Sequence, residues 1–366
     1  MHGYCEKRTK RAFQEWKALC DSLLYKTGHY LYIIRHSYLV IWKNLPDIYF
    51  MTIVVTDGYT LTSGDLSWDA VNKLGELTVY DRTRPDEIVE RCIHADIILT
   101  NKTPFTHQTL AALPKLKMIS VLATGYNVID TIAAKENNIV VCNVPGYGTA
   151  SVAQHVFALL LELTNAVGKH SDSARNGGWQ QAPDWCYTLQ PIAELSGKTI
   201  GIIGFGSIGQ QVARIAAAFD MQVIFYNHRK KSSEIGRQVS LDDVFTTSDV
   251  VTLHCPLTEE SKDLVNAGSL QKMKPSAFLI NTARGPLIAE DDLAQALNNG
   301  VIAGAALDVL CQEPPGEQQQ KVLAARNCLV TPHNAWMSRE ARSRMMKTTA
   351  LNIEGFLQGD PVNRIV

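Results

Sequence analysis

The chain has no excess of charge of either sign. Lysine plus arginine number 35 and aspartate plus glutamate 36, a formal charge of -1, so there is no broad electrostatic footprint for nucleic acid or an anionic membrane surface. Nor is there a long apolar run. The most apolar stretch near the start, Tyr30–Trp42, is 13 residues long and contains Arg35 and His36. That falls short of the roughly 20 residues needed to span a bilayer, and no small-residue cleavage site of a secretory signal follows it. The 8 cysteines, Cys5, Cys20, Cys92, Cys142, Cys186, Cys255, Cys311 and Cys328, form no CxxC pair and no Cys/His cluster of metal-ligand spacing. No repeat of solenoid period is present. What survives these absences is a cytoplasmic protein in a reducing setting, with a small-molecule partner and no metal, nucleic acid or membrane. A length of 366 residues predicts about two domains.

Residues 1–50 differ from the rest, holding ten aromatic residues and eight Lys/Arg against four Asp/Glu. They read as an upstream extension of no assigned role. At Met51 the composition breaks, and "MTIVVTDG" follows as a buried strand closed by a turn at Asp57-Gly58. Further Val/Ile-rich runs, "ADIILT", "KMISVLAT" and "NIVVCNV", alternate with helical patterns, which implies βαβ units and a mainly parallel sheet. Ser151 is expected to N-cap the helix "VAQHVFALLLEL". A second series begins at "GKTIGIIGFGSIG" and continues through "MQVIFYN", "DVVTLHCP", "AFLINTA", "AGAALDV" and "CLVTPH". It reads as a complete doubly wound nucleotide-binding domain. A final helix is expected over residues 338–357.

Gly204, Gly206 and Gly209 form GxGxxG between a buried strand and a helix whose Ile208, Val212, Ile215, Ala216 and Phe219 share one face. A bare motif of this kind is weak evidence, but strand, motif and helix in register make a dinucleotide site. Gly204 permits the tight turn, Gly206 lets the backbone reach the pyrophosphate, Gly209 lets helix and strand pack closely, and the helix N-terminus from Ser207 and Ile208 attracts phosphate charge. The following strand ends "YNHRKK". An acidic residue placed there accepts hydrogen bonds from the adenosine ribose of NAD. Asn227 replaces it, and His228, Arg229, Lys230 and Lys231 offer charge for a 2′-phosphate, with Arg229 the expected contact; NADPH is therefore favoured over NADH. The plainer reading of the basic run is a solvated loop.

Three polar residues stand where strands of the second series end: Arg284 in "INTARGPL", Glu313 in "LDVLCQEPP" and His333 in "VTPHNAW". Each alone is as readily structural. Together with "IGIIGFGSIGQQVA" and "DVVTLHCPLTEESKDLVN", these segments resemble the D-isomer-specific 2-hydroxyacid dehydrogenase family, and "TPHNAWMSREAR" is similar to its glycerate dehydrogenase and hydroxypyruvate reductase members. The resemblance covers residues 51–366. It implies an α/β fold of two Rossmann-like domains with doubly wound parallel sheets and an active-site cleft between them. Residues 51–150 plus 336–366 would form the substrate domain and 151–335 the NAD(P)-binding domain. It further implies reduction of a 2-oxo acid, with Arg284 gripping the carboxylate, His333 as general acid, and Glu313 orienting His333 and favouring its protonated form. By the same resemblance Thr124 and Gly125 offer backbone amides to the carboxylate, while Cys255, Pro256, Thr282 and Ala283 line the cofactor. Asp308 faces the nicotinamide carboxamide, and the chain forms a homodimer through the helix at Ser151 and the Trp179 loop. Cys255 as a nucleophile has no base nearby in sequence.

Two other readings remain open at this level. One is a different reductase on the same frame, such as a D-lactate type, with pocket size set by "TDGYTLTSGDLSW" and Trp336. The other is a nucleotide-sensing corepressor-like protein without turnover, against which the absence of a long charged arm after Val366 weighs.

Overall fold

The computed structural model describes residues 51–366 apart from Ser63. The extension expected over residues 1–50 lies outside the described residues, as do Cys5 and Cys20.

Two parallel sheets are built in chain order. The first contains β1 (Thr52–Val55), β2 (Glu76–Val79), β3 (Ile97–Thr100), β4 (Met118–Val121) and β5 (Val140–Cys142), arranged β2-β1-β3-β4-β5. In β1, Val54 packs on one face and Ile53 and Val55 on the other; β3 repeats this with Ile98 against Ile97 and Leu99. Alternate side chains of a strand point to opposite faces, so an unbroken apolar run of three buries both sides. Every strand pairing in the sheet is parallel.

The second sheet contains β6 (Thr199–Ile203), β7 (Gln222–Tyr226), β8 (Arg237–Gln238), β9 (Val250–Leu253), β10 (Phe278–Asn281), β11 (Gly304–Leu307) and β12 (Cys328–Val330). Their order is β12-β11-β10-β9-β6-β7-β8. Strand order reverses between β6 and β9, and in the first sheet between β1 and β3. At such points the outgoing connections diverge to opposite faces and leave a crevice beyond the carboxyl ends of the strands.

Helix α1 (Thr149–Asn165) packs Val156, Phe157, Leu160 and Leu163 into a core shared with the second sheet and with helix α2 (Ser207–Ala218), where Phe157 stacks on Phe219 at 5.4 Å. The expected N-cap is not Ser151. The helix begins at Thr149 behind Gly148, and the Ser151 hydroxyl instead donates to the Ala335 carbonyl at 2.6 Å. Helix α3 (Arg339–Leu357), capped by the Ser338 hydroxyl, buries Met345, Met346 and Ile353 against the first sheet. The chain thus passes from the first sheet to the second once, between β5 and α1, and returns once, between β12 and α3. Ser151 and Ala335 tie these two crossings together, and beside them Tyr147 meets Trp336 edge-on at 6.1 Å.

Arg342 of α3 makes a two-pronged pair with Asp65 at 2.7 and 2.8 Å. The hydrogen bond and charge of Arg342 hold the Asp65 carboxyl down at about 2. A depressed carboxylate contributes stability above its unfolded value near 3.8 and loses it as pH falls through its folded value. Asp65→Asn is therefore expected to lower the thermal midpoint at pH 6, with the gap to the parent closing as pH falls from 4 toward 2. An undiminished gap at pH 2 would show that the carboxylate charge is not its origin. Among the described residues no single helix is long and apolar enough to cross a membrane.

Candidate active site

The loop after β6 meets the end of β9 backbone to backbone. Gly204 has φ +97°, and a Cβ there would lie 2.5 Å from the Cys255 nitrogen; at Gly209 it would lie 2.3 Å from the Gly204 carbonyl. At Gly206 a Cβ would meet nothing within 4 Å. The approach to the N-terminus of α2, with its unpaired N–H groups from Ser207 and Ile208, is thus open. After β10, two strands along from β6, Thr282 is 9% exposed, with a hydroxyl that has no hydrogen-bond partner, and Cys255 and Pro256 follow β9. A glycine cradle at a switch point, a free helix terminus and an orphaned hydroxyl fit a dinucleotide.

Asn227 closes this loop from β7: its side-chain oxygen accepts from the Phe205 N–H at 3.2 Å and its amide donates to the Arg229 carbonyl at 2.9 Å. His228 and Arg229 are exposed. Lys231, read above only as part of the basic run, is the member that reaches the glycine loop, donating to the Phe205 carbonyl at 2.7 Å.

Arg284, Glu313 and His333 follow β10, β11 and β12, and the last two meet. The Asn281 side chain, fully buried, shapes the turn that presents Arg284, donating to the Arg284 carbonyl at 2.8 Å and accepting from the Ala283 N–H at 3.0 Å. Gly285 allows that turn to press on the next: a Cβ there would lie 2.0 Å from the Leu310 carbonyl carbon. The Glu313 carboxylate accepts from the Leu310 N–H at 3.0 Å with one oxygen and pairs with His333 Nδ1 at 2.5 Å with the other. Burial pushes the Glu313 carboxyl up. The hydrogen bond and charge of His333, the Leu310 N–H and the charge of Lys102 outweigh burial and leave it below its ordinary value.

His333 has φ +51°, a backbone state costly for a residue with a Cβ unless its surroundings impose it. Asp308 imposes it. Its carboxylate, 1% exposed, accepts from the Thr331 hydroxyl at 2.6 Å and from the N–H groups of Asn334 and Ala335 at 3.0 Å each, and its carbonyl accepts from the His333 N–H at 2.9 Å. Three of roughly four lone-pair positions on that carboxylate are thus occupied by the loop it shapes. Asp308 thus shapes the loop that carries His333. His155 of α1 adds a bond to the Thr331 hydroxyl at 3.1 Å.

Arg284 reaches to the end of β4, where a Cβ on Gly125 would sit 2.8 Å from its Nη2. Thr124 uses its hydroxyl and carbonyl internally, bonding Val144 at 2.9 Å and Asn143 at 2.7 Å. Two residues escaped the sequence reading. Asp57, taken as a turn residue, is 5% exposed and gathers the loop after β3 through Asn101, Lys102 and Thr103. Lys102 lies in the field of Glu313 and Arg284. Burial pushes the Cys255 thiol up to about 11, which keeps it protonated and unsuited to nucleophilic work.

Residues 157–335 match the family model of the D-isomer specific 2-hydroxyacid dehydrogenase, NAD binding domain. A hydroxypyruvate reductase of Blautia hydrogenotrophica is 46% identical over 319 residues, 86% of this chain and 99% of that protein. A glycerate dehydrogenase of Methylorubrum extorquens is 42% identical over 290 residues, 79% of this chain and 91% of that one. The solved structure of an acyclic imino acid reductase in complex with NADPH and D-Arg superposes with a TM-score of 0.77 at 34% identity, covering 86% of this chain and 100% of the other.

Proposed function

The chain belongs to the D-isomer specific 2-hydroxyacid dehydrogenase family, oxidoreductases acting on the CH–OH group of 2-hydroxy acids, and from that premise we propose that it reduces hydroxypyruvate to D-glycerate, with NADPH as the preferred reductant. The observation that carries this reading is the His333–Glu313 pair at 2.5 Å beside an arginine that lies over Gly125. A bound nicotinamide supplies the hydride. Arg284 takes the substrate carboxylate in two-pronged fashion, with the backbone of Thr124 and Gly125 on its other side. Protonated His333 gives its Nε2 proton to the oxygen forming at C2, while Glu313 accepts from Nδ1 and fixes the ring plane. In the oxidative direction the neutral ring takes the proton back. The halves bearing these groups are residues 51–150 with 336–366, and 151–335. Gly204, Gly206, Gly209, Ser207, Ile208, Cys255, Pro256, Thr282, Ala283 and Asp308 serve the cofactor.

Preference for NADPH rests on Asn227, which removes the charge that would repel a 2′-phosphate, and on Lys231 anchored at the glycine loop. The test follows absorbance of the reduced nicotinamide with the full chain on hydroxypyruvate, glyoxylate and pyruvate, each with NADH and NADPH. Hydroxypyruvate with NADPH should give the largest kcat/KM. Asn227→Asp should move the NADPH-to-NADH ratio toward NADH by about tenfold or more, since a like charge against the phosphate costs several kcal/mol. An unmoved ratio, or NADH preferred by the parent, sinks the cofactor assignment; absence of turnover on every acid sinks the substrate assignment.

A homodimer is part of the same reading. Val167, Trp179, Trp185, Leu189 and Ile192 are 61%, 58%, 86%, 52% and 57% exposed, an apolar surface around α1 that a second copy would cover. A single-chain mass by light scattering would refute it. The unpaired cysteines among the described residues support a reducing, cytoplasmic compartment.

A further inference from the structure

Two parts of the chain converge on the Asp308 carboxylate: the loop it shapes, and helix α1, whose contact the proposed chemistry above leaves unused. The Thr331 hydroxyl has a single proton and donates it to Asp308 Oδ1 at 2.6 Å. In its other contact, with His155 Nε2 at 3.1 Å, the hydroxyl must therefore accept, so the imidazole carries a proton on Nε2. The same nitrogen stands 3.6 Å from Asp308 Oδ1.

His155 lies four residues beyond Ser151, one turn along α1 and on the same face, and Ser151 donates to the Ala335 carbonyl at 2.6 Å. One face of α1 thus grips the loop at both ends, Thr331 and Ala335, with His333 midway between them. The helix is itself anchored, with Ala153 and Val156 fully buried in the core of the second sheet. His333 needs such a grip, because its φ of +51° persists only where the surroundings impose it. Its N–H donates to the Asp308 carbonyl at 2.9 Å and the Thr331 carbonyl at 3.0 Å. The two residues that His155 approaches are therefore the two that hold the His333 backbone. We propose that His155 is a positioning residue for the proton-transfer step: by donating to Thr331 it directs the hydroxyl proton onto Asp308 and keeps His333 in its left-handed conformation, with the ring on Glu313.

The inference rests on His333 being the acid, and its test separates the two. In the full chain, His155→Leu removes the donor at similar size, whereas His155→Gln keeps an N–H donor. His155→Leu should lower kcat on hydroxypyruvate about 3- to 10-fold, the worth of one hydrogen bond, with KM and reduced-cofactor binding by nicotinamide fluorescence changed by less than about twofold. His155→Gln should recover most of that loss. In a His333→Ala background His155→Leu should cost nothing further, because the group it positions is gone. Thr331→Val breaks the same contact from the loop side and should show the same dependence on His333. A merely structural role would lower both backgrounds by the same factor and overturn the inference, as would a loss confined to KM, a Gln variant as impaired as Leu, or an unchanged kcat. Each of these leaves the proposed reaction standing. A His333→Ala variant that retains most of the reductive rate overturns the acid assignment and this inference with it.

Discussion

Replacing His333 with alanine is expected to cut kcat for 2-oxo acid reduction about 10²- to 10⁴-fold, the usual contribution of a positioned general acid. Binding of the reduced cofactor, read by nicotinamide fluorescence, should be unchanged, because the glycine loop lies on β6 and α2 while His333 follows β12. The imidazole must carry its proton for reduction and lack it for oxidation. His333→Ala should therefore lose rate in both directions. Glu313→Gln keeps a hydrogen-bond acceptor but removes the charge, so its loss should be the smaller of the two. Retention of most of the reductive rate in His333→Ala would show that another group delivers the proton.

The second large effect is expected at Arg284. Arg284→Met removes the only proposed side-chain cation on the substrate carboxylate, and truncating one partner of a charge pair costs about 2–5 kcal/mol, or roughly 30- to several thousand-fold in kcat/KM. Most of that should fall on KM. Arg284→Lys should rescue little, because an ammonium cannot make the two parallel bonds of a guanidinium. Gly125→Ala is the companion variant: its Cβ would fall 2.8 Å from Nη2, forcing the flexible end of the arginine aside, so a smaller rise in KM is expected. An unchanged KM in Arg284→Met would remove this residue from substrate binding.

How far the residues themselves announce this arrangement depends on what kind of signal each carries. Strands buried on both faces are mostly apolar, so β1, β3, β4 and the central strands of the second sheet are legible. Glu76–Val79 and Arg237–Gln238 lie at sheet edges with largely exposed faces, and an edge strand leaves no such pattern. Arg284, Glu313 and His333 are legible as polar residues at strand ends in familiar company. Asp57 and Lys102 are not, since their partners lie more than 40 residues away in sequence and each alone reads as a turn. Asp308 was noticed for its position but not for its work, because three of its bonds go to the loop at 331–335. Ser151, read as the cap of its helix, lies inside it, and its hydroxyl is spent on a residue 184 positions later.

That last bond has a mechanical consequence. The groups proposed for the proton and the carboxylate follow the second sheet, whereas Gly125, over which Arg284 lies, follows the first, so the proposed substrate contacts come from both halves. Two separate tethers would let the halves twist as well as swing. Because Ser151 joins the outgoing tether to the returning one at Ala335, with Tyr147 and Trp336 packed alongside, the pair acts as one seam, like the spine of a book. Any hinge between the halves would then turn through a single angle set by that seam.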